Sequence, residues 1–400
     1  MKFLYAGFVS RTQQNSGILK KVIGQTRGVG RLGWVARYTC LDGDNVLLND
    51  GDGDTPLMRL EVPEGLRWRE RQNAVTERIC RIVREEQPDA VYLKGFLSNP
   101  YALRVAKCAK AVKPGCRVIF EIATYPYWGE YRRFFRVDFR SRDARSFAGH
   151  LLEVAQHFET SFRMKKHVDA LAVFGRPVDR LWGIPAVTID NGVDVGGIAL
   201  RKPPAGNPGR EVRLLGVAGT SIAHGYSRVL EGMAAYRESK PEGKPPVRFS
   251  LVGANETIRQ LMRQAEALRL QDSVEFLGYK NAAELSKLYG VCDAAVSSLG
   301  VYRIGLTYLS PLKSREYCAA GIPFLYAYED TLPPDAPFAL KIANNPSPVD
   351  IPAVVRFVEQ CRGRPELPAQ ERRYAQEHFD WNIMMKQVLA FAGAAAKDKN

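Results

Sequence analysis

The chain lacks several features that would narrow its function at once. No apolar run approaches the roughly 18 residues that a membrane-spanning helix needs, and the short apolar start MKFLYAGFVSR, without a small-residue cleavage site, is interpreted as a first strand rather than a signal peptide. The seven cysteines are odd in number and have no Cys-x-x-Cys spacing, which is typical of a reducing environment. We therefore expect a cytoplasmic protein without a disulfide framework.

Positive charge is the feature that the composition does supply. The chain has 57 Lys and Arg against 43 Asp and Glu, a net charge of +14, which favours an anionic ligand or surface. The densest stretch, residues 131–145, holds six Arg and two Asp. It is either a solvated helical face or an Arg- and Phe-rich surface for acidic lipid headgroups or a lipid-phosphate acceptor. We expect no nucleic-acid partner, because no helix-turn-helix, zinc-finger or base-stacking motif accompanies the charge.

Strand-like and helix-like segments alternate along the chain, and the alternation occurs twice. This pattern predicts two α/β domains, each with a parallel sheet covered on both faces. The Gly- and Pro-rich stretch 190–210 follows a clear strand and is the predicted linker. Helices are predicted over 66–86, 99–112 and 144–167. Strands are predicted over 3–9, 34–40, 90–95, 118–124, 170–175, 186–189, 212–217, 247–252, 274–277, 294–298, 323–326 and 339–342.

Several loops that follow predicted strands carry residues suited to an anionic ligand, and such loops line the ligand sites of open parallel sheets. Gly17 in "NSGILKK" would let a phosphate or sugar approach the backbone, or it is an ordinary turn. His224 and Gly225 open a helix in "AHGYSR", where the histidine is either structural or functional. Arg303 in "VYRIGL" is either a surface cation or an anion clamp.

The stretch "SPLKSREYCAAGIPF" has the composition of a helix start that binds an anion. Ser310 suits the N-cap and Pro311 the first helical position, so a helix is predicted to begin there. The amides of Leu312 and Lys313, the helix dipole and the lysine charge then favour a diphosphate.

Glu316 lies one turn further along the same predicted helix. A carboxylate beside a phosphate site is unfavourable unless it has a task, and accepting hydrogen bonds from ribose hydroxyls is one such task. The alternative is a surface ion pair with Arg315 or Lys313.

Together, "SGILKK", "DNGVD", "HGYSR", "VEFLGY", "VCDAAVSSLGVYRIGL" and "SPLKSREYCAAGIPF" resemble glycosyltransferase family 4, whose retaining enzymes have the GT-B fold. The resemblance runs through nearly the whole chain in the expected order. It implies two Rossmann-like domains that face each other across a deep cleft holding a nucleotide-sugar. The acceptor domain would span 1–197 and be completed by the C-terminal helix 376–400, and the donor domain would span 198–375.

The resemblance also implies residue roles. Glu316 matches the second Glu of the family's Glu-x7-Glu motif, the ribose binder, and the Leu312 and Lys313 amides match the diphosphate loop. Gly278 and Tyr279 lie where the base is held, and Gly17 matches the glycine that approaches the donor phosphate. The implied donor-binding set is Gly17, Gly225, Gly278, Tyr279, Tyr308, Ser310, Leu312 and Glu316.

The chain departs from the family pattern at three places. Tyr308 occupies the position of the first motif Glu, and His224 that of the usual diphosphate Lys. Arg303 and Lys313, with His224, are the expected catalytic set that supplies positive charge. The histidine often found in the acceptor domain is not apparent, and "EIATYPYWGE" offers instead the acceptor-region candidates Glu121, Thr124, Tyr125 and Glu130.

The expected function is metal-independent, retaining transfer of a sugar from a UDP- or GDP-linked donor to a hydroxyl of a saccharide or lipid-linked acceptor. The resemblance favours bacterial surface polysaccharide synthesis, in the cytoplasm or peripherally on the inner face of the membrane. Two alternatives are a GT-B-fold scaffold without turnover and a nucleotide-sugar epimerase. Acidic residues at 50–61 mimic a calcium loop, but Thr55 occupies the position that needs glycine, so no metal site is predicted there.

Overall fold

The chain forms two compact units in the computed structural model. One unit consists of Met1–Asp194 and Asp380–Asn400, and the other of Val195–Phe379. The predicted boundary at 197/198 and the predicted return at 376 lie within a few residues of these positions. The structure describes residues 1–12, 16–51, 55–95, 97–128, 132, 135–137, 139, 143–202, 211–217, 221–239, 243 and 245–397.

The first unit is built on a nine-stranded sheet in the order β4-β3-β2-β1-β5-β6-β7-β9-β8. Its strands are β1 (Lys2–Ala6), β2 (Val35–Asp42), β3 (Asn45–Asp50), β4 (Met58–Glu61), β5 (Ala90–Gly95), β6 (Arg117–Tyr125), β7 (Ala170–Gly175), β8 (Arg180–Leu181) and β9 (Ile184–Ile189). Its helices are α1 (Ser16–Gly30), α2 (Trp68–Glu86), α3 (Pro100–Val112) and α4 (Ala144–Met164), joined by a C-terminal helix described below.

The central strands of this sheet are parallel and buried on both faces. From β2 through β1, β5, β6 and β7 to β9, each neighbouring pair is parallel. Their near-continuous apolar sequences, such as the first four residues of β5, fit a sheet covered on both sides. The parallel arrangement places the carboxyl ends of these strands at one edge.

One edge of the sheet differs from the sequence expectation. Strands β3 and β4 pair antiparallel with β2 and with each other. The acidic stretch that mimics a calcium loop therefore has Asp50 at the end of one strand and Glu61 at the end of another, while residues 52–54 lie outside the described part. Among the described residues, no group of three or more His, Cys, Asp or Glu side chains could hold a metal ion.

The second unit has a six-stranded, entirely parallel sheet in the order β12-β11-β10-β13-β14-β15. Its strands are β10 (Val212–Val217), β11 (Val247–Val252), β12 (Val274–Phe276), β13 (Ala294–Val296), β14 (Phe324–Tyr326) and β15 (Ala339–Lys341). Its helices are α5 (Ser227–Glu238), α6 (Glu256–Ala267), α7 (Ala282–Val291), α8 (Leu312–Ala320), α9 (Ile351–Arg362) and α10 (Leu367–His378).

The C-terminal helix α11 (Trp381–Lys397) belongs to the first unit. The predicted apolar stripe of this helix is buried, since Trp381 and Met385 are 1% and 0% exposed. Two glycines of helix α1 lie against Trp381. A Cβ on Gly24 would lie 2.6 Å from the Trp381 ring, and one on Gly28 would lie 2.7 Å from its carbonyl carbon. The small residues therefore let α11 pack closely against α1.

The predicted fold class is confirmed as α/β with two parallel-sheet domains. All twelve predicted strands overlap observed ones, whereas β3, β4 and β8 were not predicted. The three predicted helices correspond to α2, α3 and α4.

Candidate functional site

Lys313 is the central residue of a polar cluster in the second unit. It lies in the first turn of α8, and its ammonium reaches the carboxyl end of β10. Nζ donates hydrogen bonds to the carbonyl of Val217 at 2.8 Å and to the hydroxyl of Tyr226 at 3.3 Å. It also lies 2.9 Å from Nδ1 of His224. All three partners are uncharged, so these contacts satisfy the ammonium without neutralising it.

Burial sets the charge state of this cluster. It lowers the pKa of Lys313 to about 7, although the Glu316 carboxylate acts in the opposite direction. Burial and the adjacent ammonium lower the pKa of His224 to about 2. His224 is therefore neutral near pH 7, and its Nδ1 accepts from Lys313. The expectation that His224 adds a positive charge is wrong, because the imidazole is buried and faces a cation.

The turn that carries His224 is locked against the loop after β13. Leu299 donates its amide to the His224 carbonyl at 2.9 Å. Gly225 has φ +63°, and a Cβ there would lie 2.4 Å from the backbone nitrogen of Gly300. Any side chain at Gly225 would force the two loops apart. This close packing is a structural reason for the glycine, separate from the expected ligand approach.

Two arginines near this loop have different environments. Arg228 is 2% exposed and donates to the carbonyls of Leu299 and Ser347, each at 2.6 Å. It therefore braces the loop. Arg303 is exposed and donates to the Ser227 hydroxyl at 2.7 Å and to its neighbour's phenol. Its guanidinium is accessible to an anion, as the clamp hypothesis requires.

The start of α8 differs in one respect from the sequence expectation. The helix begins at Leu312, its N-cap is Pro311, and no side-chain hydrogen bond caps it. Ser310, predicted as the N-cap, accepts a hydrogen bond from Arg315 at 3.0 Å instead. The Ser310 prediction is wrong because a residue five positions later takes its hydroxyl. The first-turn amides of α8 thus have no side-chain cap, as the diphosphate hypothesis requires.

Arg315 forms a buried ion pair rather than a surface one. Its guanidinium binds both carboxylate oxygens of Asp330, at 2.9 and 2.6 Å, and both side chains are fully buried. The ring of Phe379 lies 3.9 Å from the guanidinium carbon. Arg315 is therefore a structural residue. The alternative in which Glu316 forms a surface ion pair with Arg315 is not supported, because the Arg315 side chain is buried and paired with Asp330.

Tyr308 and Glu316 lie on different elements. Tyr308 forms a parallel bridge with Glu329, and the flanking backbone bonds measure 3.1 Å from Leu309 to Glu329 and 2.7 Å from Glu329 to Thr307. Glu316 is half-buried in α8. Burial lowers the pKa of Lys313 and the Glu316 charge opposes this shift, whereas burial raises the pKa of Tyr289 and the Glu316 charge adds to that shift. Tyr308, at the position of the first Glu of the Glu-x7-Glu motif, is thus held in an extended segment just before α8.

Gly278 and Tyr279 follow β12. Gly278 has φ +68°, and its own carbonyl accepts from the Gly253 amide at 2.8 Å. A Cβ at Gly278 would meet no atom within 4 Å. Tyr279 is half exposed, at 51%. The two residues thus present open backbone and an accessible ring at the carboxyl end of a strand.

In the first unit, Glu121 is the centre of a buried network. The carboxylate accepts from Lys21 at 2.8 Å, from Gln25 at 3.0 Å and from the Tyr92 hydroxyl at 2.8 Å. Burial raises the pKa of Glu121, but Lys21 and Lys94 outweigh it and the pKa is lowered overall. Both carboxylate oxygens have partners, so Glu121 is a structural anion.

The other first-unit candidates lie at strand and helix ends. Thr124 and Tyr125 end β6, where the Tyr125 carbonyl accepts from Arg176 at 3.0 Å. Gly17 is in the first turn of α1, and a Cβ there would meet no atom within 4 Å. Glu130 lies outside the described residues. These positions remain predictions as acceptor or donor contacts.

Sequence reasoning did not single out two residues that the structure emphasises. Tyr226 is buried and supports Lys313, and its hydroxyl also lies 2.9 Å from the Val217 carbonyl. His157 is 2% exposed, with Nδ1 2.8 Å from the Ser98 hydroxyl and Nε2 3.2 Å from that of Tyr127. Neither carries a sequence signal beyond residue type, because both are assembled by contacts distant in the chain.

The segment of the chain that contains the Lys313 cluster is similar to a known protein family. Residues 202–327 match the family model described as "Glycosyl transferases group 1". The segment contains the Lys313 cluster, Arg303 and Glu316. No curated protein sequence matches the chain significantly. The second unit thus contains the segment that is similar to this family.

Solved structures match both units together. A glycosyltransferase from Rickettsia africae ESF-5 is 11% identical, with TM-score 0.58 over 99% of this chain and 98% of that one. Sucrose-phosphate synthase from Thermosynechococcus elongatus is 14% identical, with TM-score 0.60 over 99% and 100%. Anabaena Alr3699/HepE in complex with UDP-glucose is 14% identical, with TM-score 0.56 over 98% and 99%. At these identities the likeness shows the fold, which is that of GT-B glycosyltransferases.

Proposed function

We propose that the protein is a retaining glycosyltransferase that moves a sugar from a nucleotide-sugar to a hydroxyl of a saccharide or lipid-linked acceptor. The observation that carries the proposal is Lys313. Its ammonium is held at a strand end and a helix start by three uncharged partners. It lies within the segment that matches group 1 glycosyl transferases. A partly buried cation of this kind gains most from an anionic ligand, since binding restores a charge that burial disfavours.

In this proposal the donor diphosphate binds at the start of α8. The uncapped amides of Leu312 and Lys313, the helix dipole and the ammonium converge on one anion. Arg303 adds an exposed guanidinium, and Glu316 accepts hydrogen bonds from the ribose. Gly278 and Tyr279 would contact the base, with UDP and GDP as the first bases to test.

The residues account for the transfer step without a metal. When the bond between the anomeric carbon and the diphosphate oxygen breaks, negative charge grows on that oxygen. A charged Lys313 and Arg303 stabilise it, which is the contribution expected of preorganised donors. The acceptor hydroxyl attacks from the face that the diphosphate leaves, so configuration is retained and its proton passes to the departing phosphate oxygen. Neutral His224 holds the ammonium in position.

The acceptor and the cellular role are further parts of the proposal. We place the acceptor hydroxyl near Thr124 and Tyr125 at the carboxyl end of β6 and assign the enzyme to surface polysaccharide synthesis in the cytoplasm, peripherally on the membrane. Among the described residues, no helix has the length and apolar character required to cross a membrane.

One observation favours a second candidate, a binding subunit without turnover. Tyr308 stands where the family motif has its first Glu and is fixed in a bridge with Glu329. An epimerase would need Glu121 or Glu130 as its acid. Both oxygens of Glu121 are engaged, and Glu130 lies outside the described residues.

The test begins with thermal unfolding of the full chain in a panel of UDP- and GDP-sugars. A ligand at 100 times its dissociation constant stabilises the folded state by about 2.7 kcal/mol. We expect one donor to raise the unfolding temperature of the wild type and not of Lys313→Met. Sugar transfer to saccharide or lipid-linked acceptors is then measured with that donor. Stabilisation without transfer would favour the binding subunit, and the lack of any stabilising donor would refute the proposed function.

A further inference from the structure

Helix α4 carries its large apolar side chains on the outside. Phe147, Leu151, Phe158 and Phe162 are 39%, 56%, 53% and 80% exposed. Steps of four, seven and four residues place them on one face of an α-helix. We call these four residues the α4 stripe. At 1.5 Å per residue the stripe is about 22 Å long.

The inward face of α4 is the more polar one. His157, Thr160 and Ser161 are buried there together with Met164. The Ser98 hydroxyl lies 2.8 Å from both the His157 ring and the Thr160 hydroxyl. Rotating the helix to bury the stripe would break these hydrogen bonds and leave polar groups without partners, which is costly. The buried network therefore fixes the stripe in its outward orientation.

Aromatic residues before the helix extend this apolar surface. Trp128 stacks on Phe158, with centroids 5.9 Å apart and planes at 21°, and is itself 37% exposed. Phe135 contacts the Phe147 ring edge-on at 5.3 Å. Two more apolar side chains are exposed, Val137 at 53% and Phe139 at 80%. An exposed apolar surface of this extent on a soluble chain marks an interaction site.

The charge around the stripe identifies the kind of partner. Residues 131–166 contain nine Lys or Arg and four Asp or Glu, a net charge of 9 − 4 = +5. Arg132, Arg136, Arg145 and Arg163 are exposed within it. A second copy docked through the same face would bring two positive surfaces together, which is unfavourable. An anionic surface with an apolar interior matches both properties.

We propose that the α4 stripe inserts into the surface of an anionic lipid bilayer, with the flanking arginines on the headgroups. Helices with Trp, Phe and Leu on one face and basic residues at the sides lie in the membrane interface and bury their apolar face about 5–10 Å deep. The inserting element is thus α4, and Arg132, Arg136 and Arg145, which are exposed, supply positive charge beside it. This inference does not rest on the proposed glycosyl transfer, since neither donor nor acceptor is needed for it.

The test is co-sedimentation of the full chain with vesicles of phosphatidylcholine alone or mixed equally with phosphatidylglycerol. We expect binding to the mixed vesicles and little to the neutral ones. Leu151→Gln combined with Phe162→Gln should reduce the partition coefficient at least about tenfold, because two exposed apolar side chains no longer insert. The matched control is Leu57→Gln with Met262→Gln, whose side chains are 51% and 47% exposed elsewhere, and it should bind like the wild type.

A charge variant separates the two parts of the contact. Arg132→Gln with Arg136→Gln should lower binding to the mixed vesicles about fivefold per arginine, since each basic residue near such a surface contributes about 1 kcal/mol. Wild type that stays in the supernatant with both vesicle types would overturn the proposal. Self-association in sedimentation equilibrium that the stripe variant abolishes, without vesicle binding, would assign the face to a second copy and overturn it equally.

Discussion

Lys21 in the first unit and Lys313 in the second both lie in the first two turns of a helix, yet their surroundings differ. Lys21 in α1 is 2.8 Å from the fully buried carboxylate of Glu121. Lys313 in α8 hydrogen bonds a carbonyl, an imidazole and a phenol, none of them charged. Burial lowers the pKa of both, to about 8 for Lys21 and about 7 for Lys313. The first ammonium is hydrogen bonded to a carboxylate, whereas the second is hydrogen bonded to uncharged groups and has only the charge of Glu316 acting on it without a bond.

We interpret this difference as that between a structural cation and a proposed ligand-binding one. Lys21 completes a network with Gln25 and Tyr92 that joins α1 to the sheet, so its removal should affect folding. Lys313 is held in position by neutral groups, and an anionic ligand can supply a negative charge that pairs with its ammonium. Each of the following experiments changes one side of this comparison.

Glu121→Gln should have the largest effect, on stability. The amide keeps the shape of the side chain but leaves the Lys21 ammonium buried without its carboxylate, which costs about 3–5 kcal/mol. Urea denaturation measures the loss. Glu85→Gln, which removes an exposed pair with Arg81, is the matched control and should change stability by less than about 1 kcal/mol. Equal stability of the two variants would remove the structural role of the network.

Lys313→Met should affect turnover rather than stability. Loss of one preorganised donor from the leaving group typically lowers kcat about 100-fold or more. The loss of stability should be smaller than for Glu121→Gln, because the partners that Lys313 leaves behind are uncharged. Steady-state kinetics with the donor found by thermal shift measures the first effect and urea denaturation the second. Lys287→Met, at an exposed lysine of the same unit, should retain full turnover. A Lys313 variant that is destabilised but fully active would show that Lys313, like Lys21, has a structural role.

Glu316→Ala should weaken nucleotide binding by at least about 1.5 kcal/mol, the scale of a charge-assisted hydrogen bond. Calorimetry with the ribonucleotide and its deoxyribose analogues measures this. The wild type should discriminate between the sugars, and the variant should not. Unchanged affinity of the variant would show that Glu316 does not bind the ribose.

Arg303→Ala should produce the smallest effect, about a tenfold lower kcat with a smaller change in donor affinity. The guanidinium is exposed, whereas Lys313 is partly buried. Water therefore screens the attraction between Arg303 and the diphosphate more strongly than the attraction between Lys313 and the diphosphate. Steady-state kinetics separates kcat from KM. A variant that turns over at the full rate would restrict the leaving-group role to Lys313.

The sequence predicted the strands because each is a short apolar run, and it predicted helix α8 because Ser-Pro is a local signal for a helix start. It did not predict long-range partners. Ser310 suits an N-cap, but its hydroxyl is taken by Arg315, whose partner Asp330 follows β14. Strand β3 was missed because its acidic end has turn composition, while its pairing with β2 is a tertiary property.

Helix α4 shows a further limit of sequence patterns. Its periodicity correctly predicts an amphipathic helix, but periodicity defines an apolar stripe without showing what covers it. The orientation is decided by Ser98 and Tyr127, which hydrogen bond the His157 side of the helix. Such partners come from other strand ends and cannot be inferred from the helix alone.

We expect the pKa of Lys313 to rise when a diphosphate binds, because the groups that hydrogen bond its side chain are uncharged. Calorimetry of nucleoside diphosphate binding at pH 8, in two buffers of different ionisation enthalpy, measures the protons taken up. With a pKa of about 7, most of the free protein has a neutral Lys313 at that pH, and His224 does not titrate there. The wild type should therefore take up most of one proton and bind more weakly as the pH rises above 7. Lys313→Met should take up none, and equal uptake by both proteins, or none by the wild type, would contradict the claim.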